Sequence, residues 1–452
     1  MPNLFAYLIF SCWPFIVLWL LFRYPTKKAI FIAVTSAILI LPSAFAIDPP
    51  LLPPLDKETI TGLSMIIFLF LLRKKFTIFQ PGFVTKLLMA YFIGQVITVE
   101  LNAMPIIAAK KYLPGLTNYD GFSLIVRITL NTMPFFLGRY FSTNVKDTES
   151  FFKILVVMAL IYTLPMLFEL KMSPQLHTMF YGIQPSQFVQ QVREGGYRPM
   201  VFVGHGLTLA FWFSTAIIAA GALLKNKTRA AFASPFKTLC YMLVIIFLCK
   251  TWSAIGYVIF GLLFIFKLKP KTQVKWSLIL ASLVILYPLA KVADIFPDRE
   301  IISMISQYSP ERAQSLEFRF QNEDVLLKHA MQKPFFGWGD WGRNRVFGKE
   351  DGRDLTTIDG RWIGEFGVNG LYGFLLSYAI ILAPLFYAQK AFHYIKEPKD
   401  QVYFASLAVI LAIGIMDSIP NTGMGPMHLF LAGILLAQSE FLIKHKYLHQ
   451  NE

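Results

Sequence analysis

Charge is scarce in this chain, and cysteine and histidine are scarcer. Only 15% of its 452 residues are Asp, Glu, Lys or Arg, against about 25% in an ordinary soluble domain. The three cysteines, Cys12, Cys240 and Cys249, all lie in apolar runs, which excludes a disulfide framework and a thiolate metal site. His177, His205 and His329 stand far apart in sequence, so no metal-ligand spacing is present and no cofactor is expected. The opening "MPNLFAYLIF" has no basic n-region and no small-residue cleavage site, so a retained first span is expected. The lack of an internal repeat argues against a transporter built from two related halves.

What is abundant is apolar surface: 55% of residues are hydrophobic, with a mean hydropathy of +0.53. The runs are continuous, as spanning helices of about 20 residues require, where an outer-membrane barrel would alternate. The expected fold is therefore all-α, a polytopic transmembrane helix bundle of 12–13 spans. They fall at 4–22, 29–46, 59–72, 83–100, 121–139, 152–170, 205–224, 237–250, 252–267, 275–292, 367–389, 402–418 and 427–443. The organisation is N-terminal helices over 1–170, a long loop at 171–204, central helices over 205–292, a larger loop at 293–366 and C-terminal helices over 367–452.

The net charge of +15 raises nucleic acid as a partner, but the basic residues flank apolar runs. Arg23, Lys27 and Lys28, then Arg73, Lys74 and Lys75, then Lys267, Lys269 and Lys271 follow the positive-inside rule. The partner they imply is a lipid bilayer. This orientation puts the N-terminus and both long loops outside and the C-terminus inside. Two charges sit within spans: Lys86 reaches the cytoplasmic boundary, and Arg127 is expected to face the bundle interior or a hydrated cavity.

Both long loops carry chemistry-bearing residues. The first ends "REGGYRPMVFVGHG", where Arg198 fixes a guanidinium at the membrane boundary. Its planar donor fork suits a diphosphate; the plainer alternatives are snorkelling or a pair with Glu194. The second loop opens with a predicted helix capped at Ser309–Pro310, with Leu316, Phe320, Leu327 and Met331 on its apolar side. It continues through "PFFGWGDWGRNRVFGKEDGRDLTTIDGRWIGEFGVNG", where Trp338, Trp341 and Trp362 offer faces for sugar rings or serve as interface anchors. Asp359 stands where it could cap the turn before Gly360, and Glu365 where it could cap a helix starting near Gly367.

These segments resemble the O-antigen ligase and polymerase superfamily in order and placement. "RFQNEDVLLKHAMQKPFFGWG" is similar to its Arg, amphipathic helix, Pro and Gly-x-Gly pattern. "EFGVNGLYGF" resembles its Glu-x-Gly-x-x-Gly entry to the next span, and "YRPMVFVGHG" its Arg-Pro segment. Arg193 with Gly204 and Arg353 with Gly364 match the eleven-residue Arg-to-Gly spacing described for polymerases of this type. Ligases of this superfamily carry a catalytic His where this chain reads "TTIDGRWIGE", and the Ser-Arg after a middle span is replaced by "CKTWSAIG". The Asp-Gly-x-Trp pattern is instead similar to exopolysaccharide and capsule polymerases.

The resemblance implies a bacterial inner-membrane glycosyltransferase that takes undecaprenyl-diphosphate-linked glycan at the periplasmic face. Arg198 and Arg319, then Arg193, Arg361 and Lys250, would hold the leaving diphosphate, and Asp359 or Glu365 would take the acceptor proton. A flippase and a chain-length regulator are the implied partners. The alternatives are a ligase acting on lipid A core or protein, and a lipid-linked oligosaccharide flippase.

Overall fold

A computed structural model describes residues 1–49, 53–108, 110–193, 195–421 and 423–449. Glu194, weighed above as a partner for Arg198, lies outside the described residues. Among the described residues the elements are seventeen α-helices, two short 3-10 helices and two short antiparallel strand pairs. The chain begins with α1 (Leu4–Arg23), α2 (Thr26–Ile40), α3 (Lys57–Leu71) and α4 (Phe83–Glu100), then β1 (Ile106–Ala108) paired with β2 (Lys111–Leu113). Next come α5 (Asn118–Asn131), α6 (Met133–Phe141), α7 (Asp147–Met172) and α8 (Leu176–Tyr181), then β3 (Val192–Arg193) paired with β4 (Gly196–Tyr197). The central group is α9 (Gly206–Lys225), α10 (Pro235–Leu248), α11 (Trp252–Lys267) and α12 (Pro270–Val292). Two helices of the late loop, α13 (Asp298–Ser306) and α14 (Pro310–Ala330), precede α15 (Arg361–Ala391), α16 (Pro398–Asp417) and α17 (Pro426–His449).

Local chemistry sets many of the helix starts. Asp56 caps α3 and Thr117 caps α5, each in a reciprocal capping box. Proline opens the first turn of α10, α12, α14 and α16, where its missing N–H costs nothing.

Each of the thirteen expected spans finds a helix, but the count of 12–13 crossings is corrected. Among the described residues eight helices, α1, α4, α7, α9, α12, α15, α16 and α17, are long and apolar enough to cross a membrane. The pair α5 and α6, bent by 43° at Thr132, makes a ninth if it is one span. The other four, α2, α3, α10 and α11, run only 14 to 16 residues, short of a straight bilayer crossing. Apolar runs mark burial as readily as membrane, and α2 shows why: it ends at Ile40 while its apolar run continues.

Glycines bring α6 and α17 into contact. A Cβ on Gly138 would stand 2.3 Å from the Phe430 carbonyl oxygen, and one on Gly433 2.0 Å from that of Phe135, so only small residues permit this crossing. Further along the same pair, the buried Arg139 donates to both carboxylate oxygens of Glu440 at 3.0 and 2.8 Å.

Candidate functional site

Glu169, near the end of α7, is fully buried. Its carboxylate accepts the backbone N–H groups of Leu176 at 2.9 Å and of Met200 and Val201 at 2.8 Å each. The Tyr162 hydroxyl accepts from the Phe202 N–H at 3.1 Å. Four donors that α-helix or sheet would otherwise satisfy are thus met by two side chains of α7, and the chain after Pro199 is fixed. Arg198, just before it, donates its own N–H to the Gln191 carbonyl at 2.8 Å.

Arg198 is 6% exposed, and among the described residues its Nε has no partner. Burial, reinforced by the charges of Arg193 and Arg319, pulls its pKa down to about 10. All three guanidiniums line one cavity of about 680 Å³, together with His205, Asp359 and Asp417. Arg319, on α14, donates to the Pro420 carbonyl at 3.0 Å, and its Nε lies 3.8 Å from Asp359 Oδ2. His205 caps α9 by accepting the Leu207 N–H on Nδ1 at 3.1 Å. Burial first, then Arg198, Arg193 and Arg319, push its pKa down to about 4, so it is neutral at pH 7. The cavity therefore combines three cations with the N-terminal end of a 20-residue helix.

The other sequence-derived residues distribute around this cavity. Arg361 begins α15, its N–H shared between the Ser418 and Asn421 carbonyls at 3.0 and 2.9 Å. It lines a second, mostly apolar cavity of about 520 Å³ among α4, α9, α15 and α17, which shares Thr208, Phe211 and Gly423 with the first. Lys250 stands behind the β3–β4 pair, donating to the Arg193 carbonyl at 3.3 Å; it supports the loop rather than lining the cavity. Arg353 is 84% exposed at its side chain and pairs with Asp351 at 3.2 Å.

Glu365 sits in the second turn of α15, because the helix starts at Arg361 and not near Gly367; the capping role is excluded. Its Oε1 accepts from the Tyr91 hydroxyl and from Asn369 Nδ2, each at 2.8 Å. It lines a third cavity of about 410 Å³, which shares Ile358 with the first and Tyr91 and Ile128 with the second. Arg127 also lines it, paired with Asp340.

Two of the three tryptophans are not available to stack on a sugar. Trp362 is fully buried, edge-on to Tyr287, with its indole N–H on Glu323 at 3.0 Å. Trp338 has one face on His329, with centroids 4.3 Å apart, and the Lys333 ammonium over its ring at 4.6 Å. Trp341 is 42% exposed, with the Arg127 guanidinium 6.0 Å from its ring centre. On α14 the expected Phe320 is buried and Leu316 and Leu327 are half-buried, Leu327 packing on the core; Met331 is exposed, and Ala313, Leu326 and Ala330 are buried besides.

A break in α15 explains the "EFGVNG" stretch. Gly370 adopts φ +62°, and a Cβ there would stand 2.4 Å from the Phe335 carbonyl carbon. The interrupted helix leaves backbone groups open, and the late loop fills them. Trp338 and Gly339 donate to the Gly367 and Val368 carbonyls, each at 2.9 Å. Leu371 and Tyr372 donate to those of Pro334 and Phe335 at 2.7 and 3.0 Å. The glycine-rich loop is thereby stitched to the end of a membrane helix.

Sequence reasoning missed Asp417, whose Oδ1 accepts from Tyr257 and Asn421 at 2.8 Å each. A carboxylate at the end of an apolar run was the available signal. It also missed Glu169, an acidic residue in the same setting. No protein-family model and no curated protein matches this chain; the geometry of a multi-pass helical membrane protein with a basic cavity at one end of its bundle carries the functional reading.

Proposed function

We propose that the chain is a membrane glycosyltransferase that polymerises oligosaccharide repeat units carried on a polyprenyl diphosphate, at the outer face of a bacterial cytoplasmic membrane. One observation carries the reading: Arg193, Arg198 and Arg319 line a polar cavity whose wall residues Thr208, Phe211 and Gly423 also line a mostly apolar cavity inside the bundle, whose charged residues are Lys57, Glu58 and Arg361. A lipid diphosphate has that division, an anionic head joined to an apolar tail. The guanidinium forks match phosphate oxygens bidentately, and the α9 N-terminus adds a fixed positive end.

In the reaction, the acceptor sugar hydroxyl oxygen bonds to the anomeric carbon of the donor as the bond from that carbon to the diphosphate oxygen breaks. The electron pair of that bond leaves with the diphosphate, where preorganised cations stabilise the growing charge. The hydroxyl proton passes to a carboxylate. Asp359 lines the same cavity as the cations and is the base of first choice; Glu365 stands in the adjoining one. The flippase and chain-length regulator implied by the family resemblance would supply donor and set product length.

The test is reconstitution of the purified protein in liposomes with undecaprenyl-diphosphate-linked single repeats. A ladder of longer glycans on the carrier is the expected product. Transfer only to a lipid A core would make the protein a ligase. Movement of unreacted substrate across the bilayer would make it a flippase.

A further inference from the structure

The third cavity, between α4, α5, α15 and the stitched loop, is electrostatically unlike the first. Its charged residues balance: Arg127 and Arg345 against Asp340 and Glu365, with the amides of Gln95, Asn344 and Asn369 between them. Both guanidiniums are occupied, Arg127 by Asp340 and Arg345 by Asp354. Among the described residues that line it, a diphosphate finds no unpaired cation.

Two of its polar atoms are left over. Among the described residues, the Nε2 of Gln95, which is 1% exposed, and the Oδ1 of Asn369, which is 5% exposed, have no partner. The Asn369 orientation is fixed, because its Nδ2 donates to both Tyr91 Oη, at 2.9 Å, and Glu365, at 2.8 Å. A buried donor and a buried acceptor without partners are costly, and both line the same polar space. Trp341, next in sequence to the lining residues Asp340 and Gly342, does not itself line the cavity; it is held at φ +56°, exposed, with the Arg127 guanidinium 6.0 Å from its ring centre. A free donor and a free acceptor in a polar space of balanced charge fit a neutral polyhydroxylated ligand, whose hydroxyls each give and take a hydrogen bond.

We infer that this cavity is a saccharide subsite that holds the terminal sugar of the acceptor glycan, with Gln95 and Asn369 reading its hydroxyls and Trp341 stacking on its ring. The assignment to the acceptor rests on the polymerase reading; the binding of a neutral sugar does not. Ile358, shared with the basic cavity, marks where a hydroxyl would pass from one chamber to the other.

The experiment is ligand-observed saturation-transfer NMR on the full-length protein in nanodiscs. The probe is the lipid-free repeat oligosaccharide released by mild acid from the host's carrier lipid. Wild-type protein should bind it whether or not inorganic pyrophosphate is present. Gln95→Leu and the exposed Trp341→Ala should each weaken binding at least tenfold while leaving pyrophosphate binding unchanged. Should Gln95→Leu fail to fold, Trp341→Ala decides. Unchanged affinity in the folded variants overturns the subsite. If wild-type binds pyrophosphate but no neutral sugar, the subsite is wrong and the diphosphate reading stands. If it binds neither, both fall.

Discussion

The Arg198 side chain lies directly over Gly206: a Cβ on Gly206 would stand 2.3 Å from Arg198 Cδ and 2.5 Å from its Cγ. The guanidinium therefore reaches the cavity across the first residue of α9, and only glycine leaves room for it. Gly206→Ala must move Arg198, although position 206 is helical and accepts alanine conformationally. A displacement of about 1 Å at a positioning group costs on the order of 100-fold in rate. Polymer formation should fall by that factor with protein abundance unchanged, read by glycan ladder and immunoblot.

Removing the cations themselves should be more severe. Arg198→Ala and Arg319→Ala are expected to abolish polymer without reducing protein level, leaving single repeats on the carrier lipid. Arg198→Lys should rescue poorly, since an ammonium lacks the planar fork. Wild-type ladders from both alanine variants would remove the diphosphate assignment.

Glu169 should be a stability residue whose loss reaches the site indirectly. Glu169→Ala leaves three buried N–H donors, those of Leu176, Met200 and Val201, without an acceptor, at roughly 1–3 kcal/mol each. A lowered thermal midpoint and faster proteolysis between residues 173 and 204 are expected, with activity lost in parallel. A wild-type melting curve would show that the segment bearing Arg198 is anchored by something else.

Stability should also decline in mild acid. His177 and His205 both have pKa values lowered to about 4, chiefly by burial. His177 additionally accepts the Ser43 N–H on Nε2 at 2.9 Å. The unfolded chain takes up protons on these histidines below about pH 6.5, while the folded chain stays neutral until about pH 4. The folded state thus loses stability as pH falls through that window and levels off below it. Thermal midpoints measured from pH 7 to pH 4 should show the decline, and His205→Gln should make it shallower.

The helical bundle was legible because continuous apolar runs allow few other folds, and Ser309–Pro310 marked the start of α14 to the residue. The number of crossings was not, since a 15-residue apolar helix such as α2 reads like a span until its ends are seen. Among the site residues, Arg193, Arg198, Arg319 and Asp359 converge on one cavity, as residues drawn from both long loops. Trp338 and Trp362 read as displayed because glycines surround them, yet each indole N–H found an acceptor within the fold, the His329 carbonyl and the buried Glu323 carboxylate. Those partners lie on α14, more than one helix turn away in sequence, and no local pattern names them. Asp417, Gln95 and Asn369 were hidden for a related reason: within apolar runs a single polar residue resembles packing until a cavity is seen beside it.

The most direct test is calorimetric titration of farnesyl diphosphate, a short soluble lipid diphosphate, onto the nanodisc-embedded protein. Saturable binding to wild-type, weakened at least tenfold in Arg198→Ala and in Arg319→Ala, is the expected result. No binding, or equal affinity in wild-type and both variants, would contradict the assignment of the basic cavity to a diphosphate.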